Sequence, residues 1–182
     1  MAPVTLDACV LFPTVLREIL IGLAREGLYT PAWSARILEE WARAARRFSP
    51  ADEIFARGEI AALRAAFPGA EVALPEDAGA GLDLPDPNDR HVLAAAIAGG
   101  AKVICTLNIR DFPGWALGAW GIRAEHPDEF LLGLWREHPG QVARIVEEVR
   151  ATAERLSGEP QDLRALMKRA KLPRFGKALT RQ

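Results

Sequence analysis

The sequence is poor in cysteine and histidine and has no long apolar stretch. It holds two cysteines and three histidines in 182 residues. No apolar run approaches the roughly 20 residues needed to span a bilayer, and no basic segment followed by such a run marks the N-terminus. Cys9 and Cys105 lie in or beside apolar, strand-like runs, so we expect buried thiols and neither a disulfide framework nor a zinc site. These absences predict a cytoplasmic protein that does not enter a membrane.

A strong net charge is also missing. With 23 basic and 24 acidic residues, the formal net charge is -1. This balance excludes attraction of the whole molecule to nucleic acid, so any such binding has to come from a local patch. The one strong local bias is the segment from Arg164 to Gln182, which carries seven cations and no acid. We expect that segment to contact phosphate groups or an acidic partner.

Alternating strand and helix patterns predict an α/β fold with a mainly parallel sheet. We predict strands at 3–11, 71–74, 102–107 and 121–124, and helices at 14–27, 34–47, 49–67 and 89–99. Ser34 and Ser49 are expected to cap two of these helices. Beyond residue 124 the pattern is helical, over 128–136, 139–156 and 161–170. We therefore predict one α/β domain over 1–124 and a helical extension with a basic tail over 125–182.

Acidic and amide side chains stand where the predicted strands and helices meet. Asp7 follows the first apolar run, Asp89 begins a helix, and Asn108 and Asp111 follow a later strand. These are neighbouring positions at the carboxyl edge of an open α/β sheet, and Glu40 joins them if its helix packs over that edge. Such a ring of oxygen ligands suits Mg²⁺ or Mn²⁺. The chemistry it indicates is attack of a metal-activated water on a phosphodiester.

Each of these residues also has an ordinary structural interpretation. Asp89 or Asn88 can cap a helix, Glu40 can be a solvated helix residue, and Asp111 can begin a turn. Asp7 is the hardest to explain in this way, because an unpaired carboxylate in a buried strand costs several kcal/mol. Thr106, at a strand end, is expected to hold one of the ligand acids. The three histidines are scattered along the chain, so we expect surface or capping roles for them.

Together these motifs resemble a PIN domain, and more narrowly the VapC-type ribonuclease toxins of bacterial toxin-antitoxin pairs. The resemblance covers roughly 3–123 and rests on four stretches in the right order: the apolar run ending in Asp7, Ile37-Leu38-Glu39-Glu40-Trp41, Asp86-Pro87-Asn88-Asp89-Arg90-His91-Val92-Leu93-Ala94-Ala95-Ala96, and Thr106-Leu107-Asn108-Ile109-Arg110-Asp111-Phe112. It implies an α/β/α sandwich with a central, mainly parallel sheet.

By the same resemblance, Asp7, Glu40 and Asp89 match the three metal-binding acids of the family. We choose Glu40 over Glu39 because the family's acid directly precedes an apolar residue, here Trp41. The fourth polar position falls on Asn108, where many members have aspartate. That departure leaves the number of metal ions open, with Asp111 as a replacement for the missing charge.

The resemblance implies a Mg²⁺- or Mn²⁺-dependent endoribonuclease that acts as a toxin. Asp7 and Asp89 would bind metal directly, and Glu40 would position or deprotonate the attacking water. Asn108 and Asp111 would support the coordination. The implied partners are an RNA substrate and an antitoxin, with a homodimer left open.

One alternative is a non-catalytic RNA- or protein-binding module on the same fold. Another, a phosphatase of the haloacid dehalogenase type, is disfavoured because Cys9 stands where that class expects a second acid.

Overall fold

A five-stranded parallel sheet forms the centre of the fold in the computed structural model, which describes residues 2–181. The strands are β1 Val4–Leu6, β2 Pro31–Ser34, β3 Glu71–Val72, β4 Val103–Cys105 and β5 Arg123–Glu125. They lie in the order β3-β2-β1-β4-β5, and every neighbouring pair is parallel. The α/β class and the parallel sheet predicted from the sequence are confirmed.

The order of the strands reverses between β1 and β4. From β1 the chain adds β2 and β3 on one side, and later adds β4 and β5 on the other. At such a switch point the connections leave in opposite directions, which opens a crevice at the carboxyl ends of the two strands. Leu6 pairs with Cys105 in the register, so Asp7 and Thr106 follow the two strands side by side.

The helices account for most of the chain outside the sheet. They are α1 Ala8–Leu11, α2 Thr14–Arg25, α3 Ala35–Arg46, α4 Pro50–Ala66, α5 Arg90–Ala98, α6 Gly114–Leu117, α7 Pro127–Glu137, α8 Pro139–Ser157, α9 Leu163–Arg169 and α10 Pro173–Leu179. Ser34 accepts a hydrogen bond from the backbone N–H of Ile37, and Ser49 accepts one from that of Asp52, so both predicted caps are confirmed. Across residues 2–181, no helix is both long enough and apolar enough to cross a bilayer.

The first expected strand is shorter than the apolar run suggests. The strand ends at Leu6, and residues 8–11 form α1, because an apolar run by itself does not distinguish a buried strand from a buried helix. Asp7 therefore lies in the turn between β1 and α1. The sequence patterns also missed β2, a four-residue strand that is buried throughout and begins with Pro31.

The chain divides into two compact units. One holds the chain up to Phe12 together with Tyr29–Glu125, and includes the sheet. The other holds Pro13–Leu28 and the chain from His126 onward, so α2 is grouped with the C-terminal helices. In the first unit α5 packs against β1, β2 and β4, and its residues His91–Ala96 are all buried. This packing fixes the start of α5 at the carboxyl edge of the sheet.

In the second unit, α2 packs against α8 and α7 packs against α10. A Cβ on Gly22 would lie 2.7 Å from Cγ2 of Ile145, so the approach of α2 to α8 needs glycine there. His126 caps α7, because its Nδ1 accepts a hydrogen bond from the backbone N–H of Asp128 at 3.1 Å. A capping role was the expectation for this histidine.

Candidate metal centre

Asp7 is buried at the crevice and held by two side chains. It is only 6% exposed. Its Oδ2 accepts a hydrogen bond from the Thr106 hydroxyl at 2.7 Å and one from the Cys9 thiol at 3.1 Å. Its backbone N–H donates to the carbonyl of Cys105 at 3.2 Å, which ties the end of β1 to the end of β4. Both side-chain bonds go to Oδ2, and no other side chain in the described chain bonds to this carboxylate.

Thr106 and Cys9 extend this network across the crevice. The Thr106 hydroxyl accepts from the backbone N–H of Asn108 at 3.0 Å, and the Cys9 sulfur accepts from that of Leu107 at 3.2 Å. Burial, and secondarily the charge of Asp7, raises the pKa of Cys9 to about 12, so the thiol keeps its proton and serves as a donor. The expectation that Thr106 holds an acid is confirmed. The expected buried thiol is found at Cys105, whereas Cys9 is only partly buried and bonds to the same acid.

Asp89 stands at the start of α5 without capping it. Its side chain makes no capping hydrogen bond, whereas the Asp86 side chain accepts from the backbone N–H of Asn88 at 2.8 Å and stabilises the 3₁₀ turn Pro87–Asp89. The capping interpretation of Asp89 is therefore wrong.

The electrostatic surroundings of Asp89 are strongly acidic. Burial raises the pKa of its carboxyl to about 6, and the charges of four other acids add to the effect: Asp7, Asp86, Asp111 and Glu40. Three of these four are residues that the sequence predicted for the site. The structure thus brings Asp7, Glu40 and Asp111 within electrostatic range of Asp89.

Glu40, on α3, contacts a buried histidine. Its Oε1 lies 2.8 Å from Nε2 of His91 and 3.6 Å from Nε of Arg36. The two groups are in close polar contact but are not aligned for a hydrogen bond. His91 is 6% exposed, and within residues 2–181 neither ring nitrogen has a hydrogen-bond partner. The expected surface or capping role is therefore wrong for His91, which lies on the buried face of α5.

The neighbouring Glu39 belongs to a different environment. It accepts hydrogen bonds from Arg43 at 3.1 Å and from Arg57 at 3.0 and 3.2 Å, and these arginines lower the pKa of its carboxyl. The exposed ion pairs with Arg43 and Arg57 explain the position of the Glu39 side chain. The choice of Glu40 as the site acid is supported by its contact with His91 and its influence on Asp89.

Asn108 and Asp111 lie on the loop after β4. Asn108 precedes the 3₁₀ turn Ile109–Asp111 and is exposed, and its carbonyl accepts from the backbone N–H of Asp111 at 3.0 Å. Neither side chain makes a hydrogen bond with another residue in the 2–181 range. Asp111 is half-buried and contributes to the raised pKa of Asp89, whereas the neutral amide of Asn108 cannot.

The donor set fits a hard divalent cation held partly through water. Within residues 2–181, no three His, Cys, Asp or Glu side chains already lie close enough to form a metal site. All four acids nevertheless offer carboxylate oxygens, and a cation would offset the burial and the neighbouring negative charges that raise the pKa of Asp89. Mg²⁺ keeps several waters and needs only one or two direct carboxylates. An open arrangement of this kind is therefore sufficient.

The comparisons with known proteins agree with this geometry. A family model described as "PIN domain" matches residues 3–110.

The chain belongs to the PIN domain family.

A second family model, "VapC50 C-terminal domain", matches residues 127–181. A curated protein of Mycobacterium tuberculosis (strain ATCC 25618 / H37Rv), named "Putative ribonuclease VapC50", is 57% identical over 44 residues. That match spans 24% of this chain and 26% of the relative, so it covers about a quarter of the length of each. The comparison with solved structures found no significant match.

The PIN domain match contains most of the predicted site. Asp7, Glu40, Asp89 and Asn108 lie inside the matched range 3–110, and Asp111 lies one residue beyond it. Beside the contact between Glu40 and His91, this PIN unit has a cavity of about 650 Å³. Its lining comes from the end of β2, the start of α3, β3 with the segment 73–80 that follows it, Pro87 and the start of α5. The charged residues in this lining are Arg36, Arg90, Glu71, Glu76 and Asp77.

Proposed function

We propose that this protein is a Mg²⁺- or Mn²⁺-dependent endoribonuclease. The observation that carries the proposal is Asp89, a carboxylate that caps nothing and whose pKa is raised to about 6 by burial and by the charges of Asp7, Asp86, Asp111 and Glu40. A protein has no stability reason to gather like charges at one sheet edge, because each close pair costs free energy. The PIN family membership and the ribonuclease name of the mycobacterial relative support the same function.

Asp7 and Asp89 are the residues that would hold the cation directly. Asp7 has one oxygen fixed by Thr106 and Cys9, which orients the carboxylate toward the crevice before any ligand arrives. Asp111 adds charge from the loop after β4, and the Asn108 amide can hold a water in the coordination sphere. When bound, the cation supplies positive charge that favours ionisation of a water and neutralises the leaving oxygen.

Glu40 would orient or deprotonate the attacking water. A general base must be within hydrogen-bond reach of the proton it takes, and a carboxylate on α3 beside Asp89 can serve in this way. His91 lies 2.8 Å from Glu40 and is buried, so it limits the conformations open to that carboxylate. The adjoining cavity of about 650 Å³ has room for a nucleotide next to the bond that is cut.

We further propose that the protein acts in the cytoplasm as the toxin of a toxin-antitoxin pair, with an antitoxin protein as its partner. The match of residues 127–181 to the VapC50 C-terminal domain supports this assignment. An antitoxin would inhibit by covering the acidic crevice, and basic side chains would suit that surface.

RNA cleavage by the purified chain tests the proposed function. We expect cleavage of single-stranded RNA in Mg²⁺ or Mn²⁺, no cleavage in EDTA, and recovery when the metal is restored. Asp7→Ala should abolish cleavage. Glu40→Gln should reduce it about 10²- to 10⁴-fold, the range for loss of a general base. Glu39→Gln is the matched control, because it removes the neighbouring charge from an exposed network, and it should retain activity.

Two outcomes would contradict the assignment. One is cleavage that continues undiminished in EDTA. The other is full activity of Asp7→Ala in a preparation purified in parallel with an inactive control, which excludes a contaminating nuclease.

A non-catalytic binding module is the second candidate. It is favoured by the neutral Asn108 and by the absence, in the described part of the chain, of three metal-binding side chains already close together. Such a module would bind labelled RNA saturably and equally well with or without metal, and it would yield no product.

A further inference from the structure

A basic cavity lies between α7 and α10 in the second unit. Its volume is about 430 Å³. Its lining contains four cations and no acid: Arg136, Arg174, Lys177 and Arg181. Leu132, Trp135 and Ala178 complete the lining and provide an apolar wall. A cavity of this size, with an aromatic wall and cations around it, has the composition of a site for an anionic ligand with a planar group.

The walls of this cavity are held in place by a buried acid. Asp128, which is 6% exposed, accepts hydrogen bonds from the backbone N–H groups of Arg174 at 3.1 Å and Phe175 at 2.8 Å. These bonds fix the start of α10 against the start of α7. A Cβ on Gly176 would lie 2.6 Å from Cβ of Met167, so α10 also packs closely on α9. The cavity is therefore a built feature of the unit and not a gap between loose helices.

Most of the positive charge at the cavity has no acidic partner. Arg174 pairs with Glu129, whereas Arg136, Lys177 and Arg181 form no ion pair with any residue in the 2–181 range. Helix α8 of the same unit behaves differently. Arg144 pairs with Glu26 and Glu148, and Arg150 pairs with Glu147 and Glu154. Two of the three arginines of α8 are thus paired with acids, whereas three of the four cations at the cavity have no ion pair in the described chain.

Trp135 contributes a second unused group. Its indole N–H is buried and has no hydrogen-bond acceptor among the residues described. Buried indole N–H groups normally have a partner. Trp135 therefore brings to the cavity wall an aromatic side chain with an unsatisfied donor.

We propose that this cavity binds the phosphate backbone of single-stranded RNA, with Trp135 contacting a base or sugar. Arginine matches phosphate oxygens with paired donors, and aromatic side chains contact unpaired bases without requiring a particular sequence. The acidic crevice repels RNA, and a chain of net charge -1 offers no general attraction. The cavity supplies the local attraction that the crevice lacks.

The inference rests on the proposed function for its choice of RNA, but its test does not depend on cleavage. Binding of a fluorescein-labelled single-stranded RNA is measured by anisotropy in EDTA over a series of KCl concentrations. The test variant is Lys177→Ala/Arg181→Ala. The matched control is Arg164→Ala/Lys168→Ala, which removes one lysine and one arginine from exposed positions of α9 outside the cavity.

The test variant should bind RNA about ten-fold more weakly at moderate salt. Its slope of log affinity against log salt should fall by about 1.4, or about 0.7 for each lost phosphate contact. The control should stay close to the unaltered protein in both quantities. Trp135→Phe should weaken binding a few-fold with an unchanged salt slope, because it removes the indole N–H and leaves every cation in place.

Equal weakening by the two double variants would overturn the inference, because the binding would then follow diffuse positive charge. Unchanged binding by the test variant would also overturn it. So would binding of labelled poly-glutamate that is as tight as that of RNA and equally dependent on Lys177 and Arg181, since the cavity would then be a site for acidic protein. RNA binding through the cavity in a protein that cleaves nothing would support this inference while refuting the proposed function.

Discussion

The two sides of the acidic crevice differ in how firmly their side chains are held. On the β1 side, Asp7 is buried and one of its oxygens is fixed by Thr106 and Cys9. On the side after β4, the side chains of Asn108 and Asp111 make no hydrogen bonds within residues 2–181, and one of the two is an uncharged amide. The Asp7 carboxylate is held in position before a ligand binds, whereas a ligand would have to position the side chains of Asn108 and Asp111.

This difference suggests how the site can tolerate gathered acids without metal. A carboxylate held by two donors keeps its direction, so Asp7 can serve as the fixed reference for a cation. Burial, followed by the charges of Asp7, Asp86, Asp111 and Glu40, raises the pKa of Asp89 to about 6. The neutral Asn108 adds no further charge to this group.

Among the following variants, Asp89→Asn should have the largest effect, because it removes the half-buried carboxyl whose pKa is raised to about 6. We expect RNA cleavage to fall at least a hundred-fold, because a direct metal ligand is lost. In EDTA at neutral pH, the same variant should be more stable by about 1 kcal/mol, allowing for solvent screening at a half-buried carboxyl. Urea unfolding measures the stability. A loss of stability in Asp89→Asn would contradict the assignment of a raised pKa to Asp89.

Asp89 also predicts a pH dependence for the metal-free protein. Its pKa is higher in the folded state, about 6, than its ordinary value of 3.8, so the folded state binds the proton more tightly. This contribution to stability is complete below about pH 4 and is lost as the pH rises through about 6. Urea unfolding between pH 4 and pH 7 should show that decline in EDTA, and Asp89→Asn should reduce it. If the unfolding free energy of the unaltered protein and that of Asp89→Asn changed equally with pH, the assignment of this pKa to Asp89 would be contradicted.

Thr106→Val tests how firmly Asp7 is held, and its expected effect is intermediate. The variant keeps the size and branching of the side chain but removes the hydroxyl that donates to Asp7 at 2.7 Å. We expect cleavage and metal affinity to fall about 10- to 100-fold, as for other groups that orient a metal ligand. Thr106→Ser should restore most of both. Failure of serine to rescue would indicate that the role of Thr106 is packing.

Asn108→Asp tests the side after β4 and should have the smallest effect. The substitution adds the charge that many family members have at this position, so Mn²⁺ affinity should rise a few-fold. In EDTA the variant should lose stability, because a further acid joins the group around Asp89. Asn108→Ala provides the comparison, with weaker metal binding and no loss of stability. An unchanged Mn²⁺ affinity in Asn108→Asp would place this residue outside the metal site.

The positions of strand ends and helix starts in the sequence predicted which acids lie near one another in the candidate site. Asp7 and Asp89 could be placed because a carboxylate after a buried strand and one at a helix start come together at the edge of an open sheet. The helix caps at Ser34 and Ser49 were predicted from local hydrogen bonding, which needs only neighbouring residues.

Other features depended on packing that the sequence does not display. The direction of His91 follows from the way α5 packs against β1, β2 and β4, and no local pattern pairs that histidine with Glu40 on another helix. The helix at residues 8–11 replaced an expected strand because a short apolar run fits both structures. The grouping of α2 with the C-terminal helices likewise depends on contacts that are distant in sequence.

Calorimetric titration of Mn²⁺ into the purified chain at neutral pH tests the central claim most directly. The account predicts saturable binding by the unaltered protein, and loss of that binding in Asp7→Asn, whose fold is checked by circular dichroism. Absence of saturable binding by the unaltered protein would contradict the claim that the carboxylates at the ends of β1 and β4 and at the start of α5 form a metal site. Equal binding by Asp7→Asn would contradict it as well.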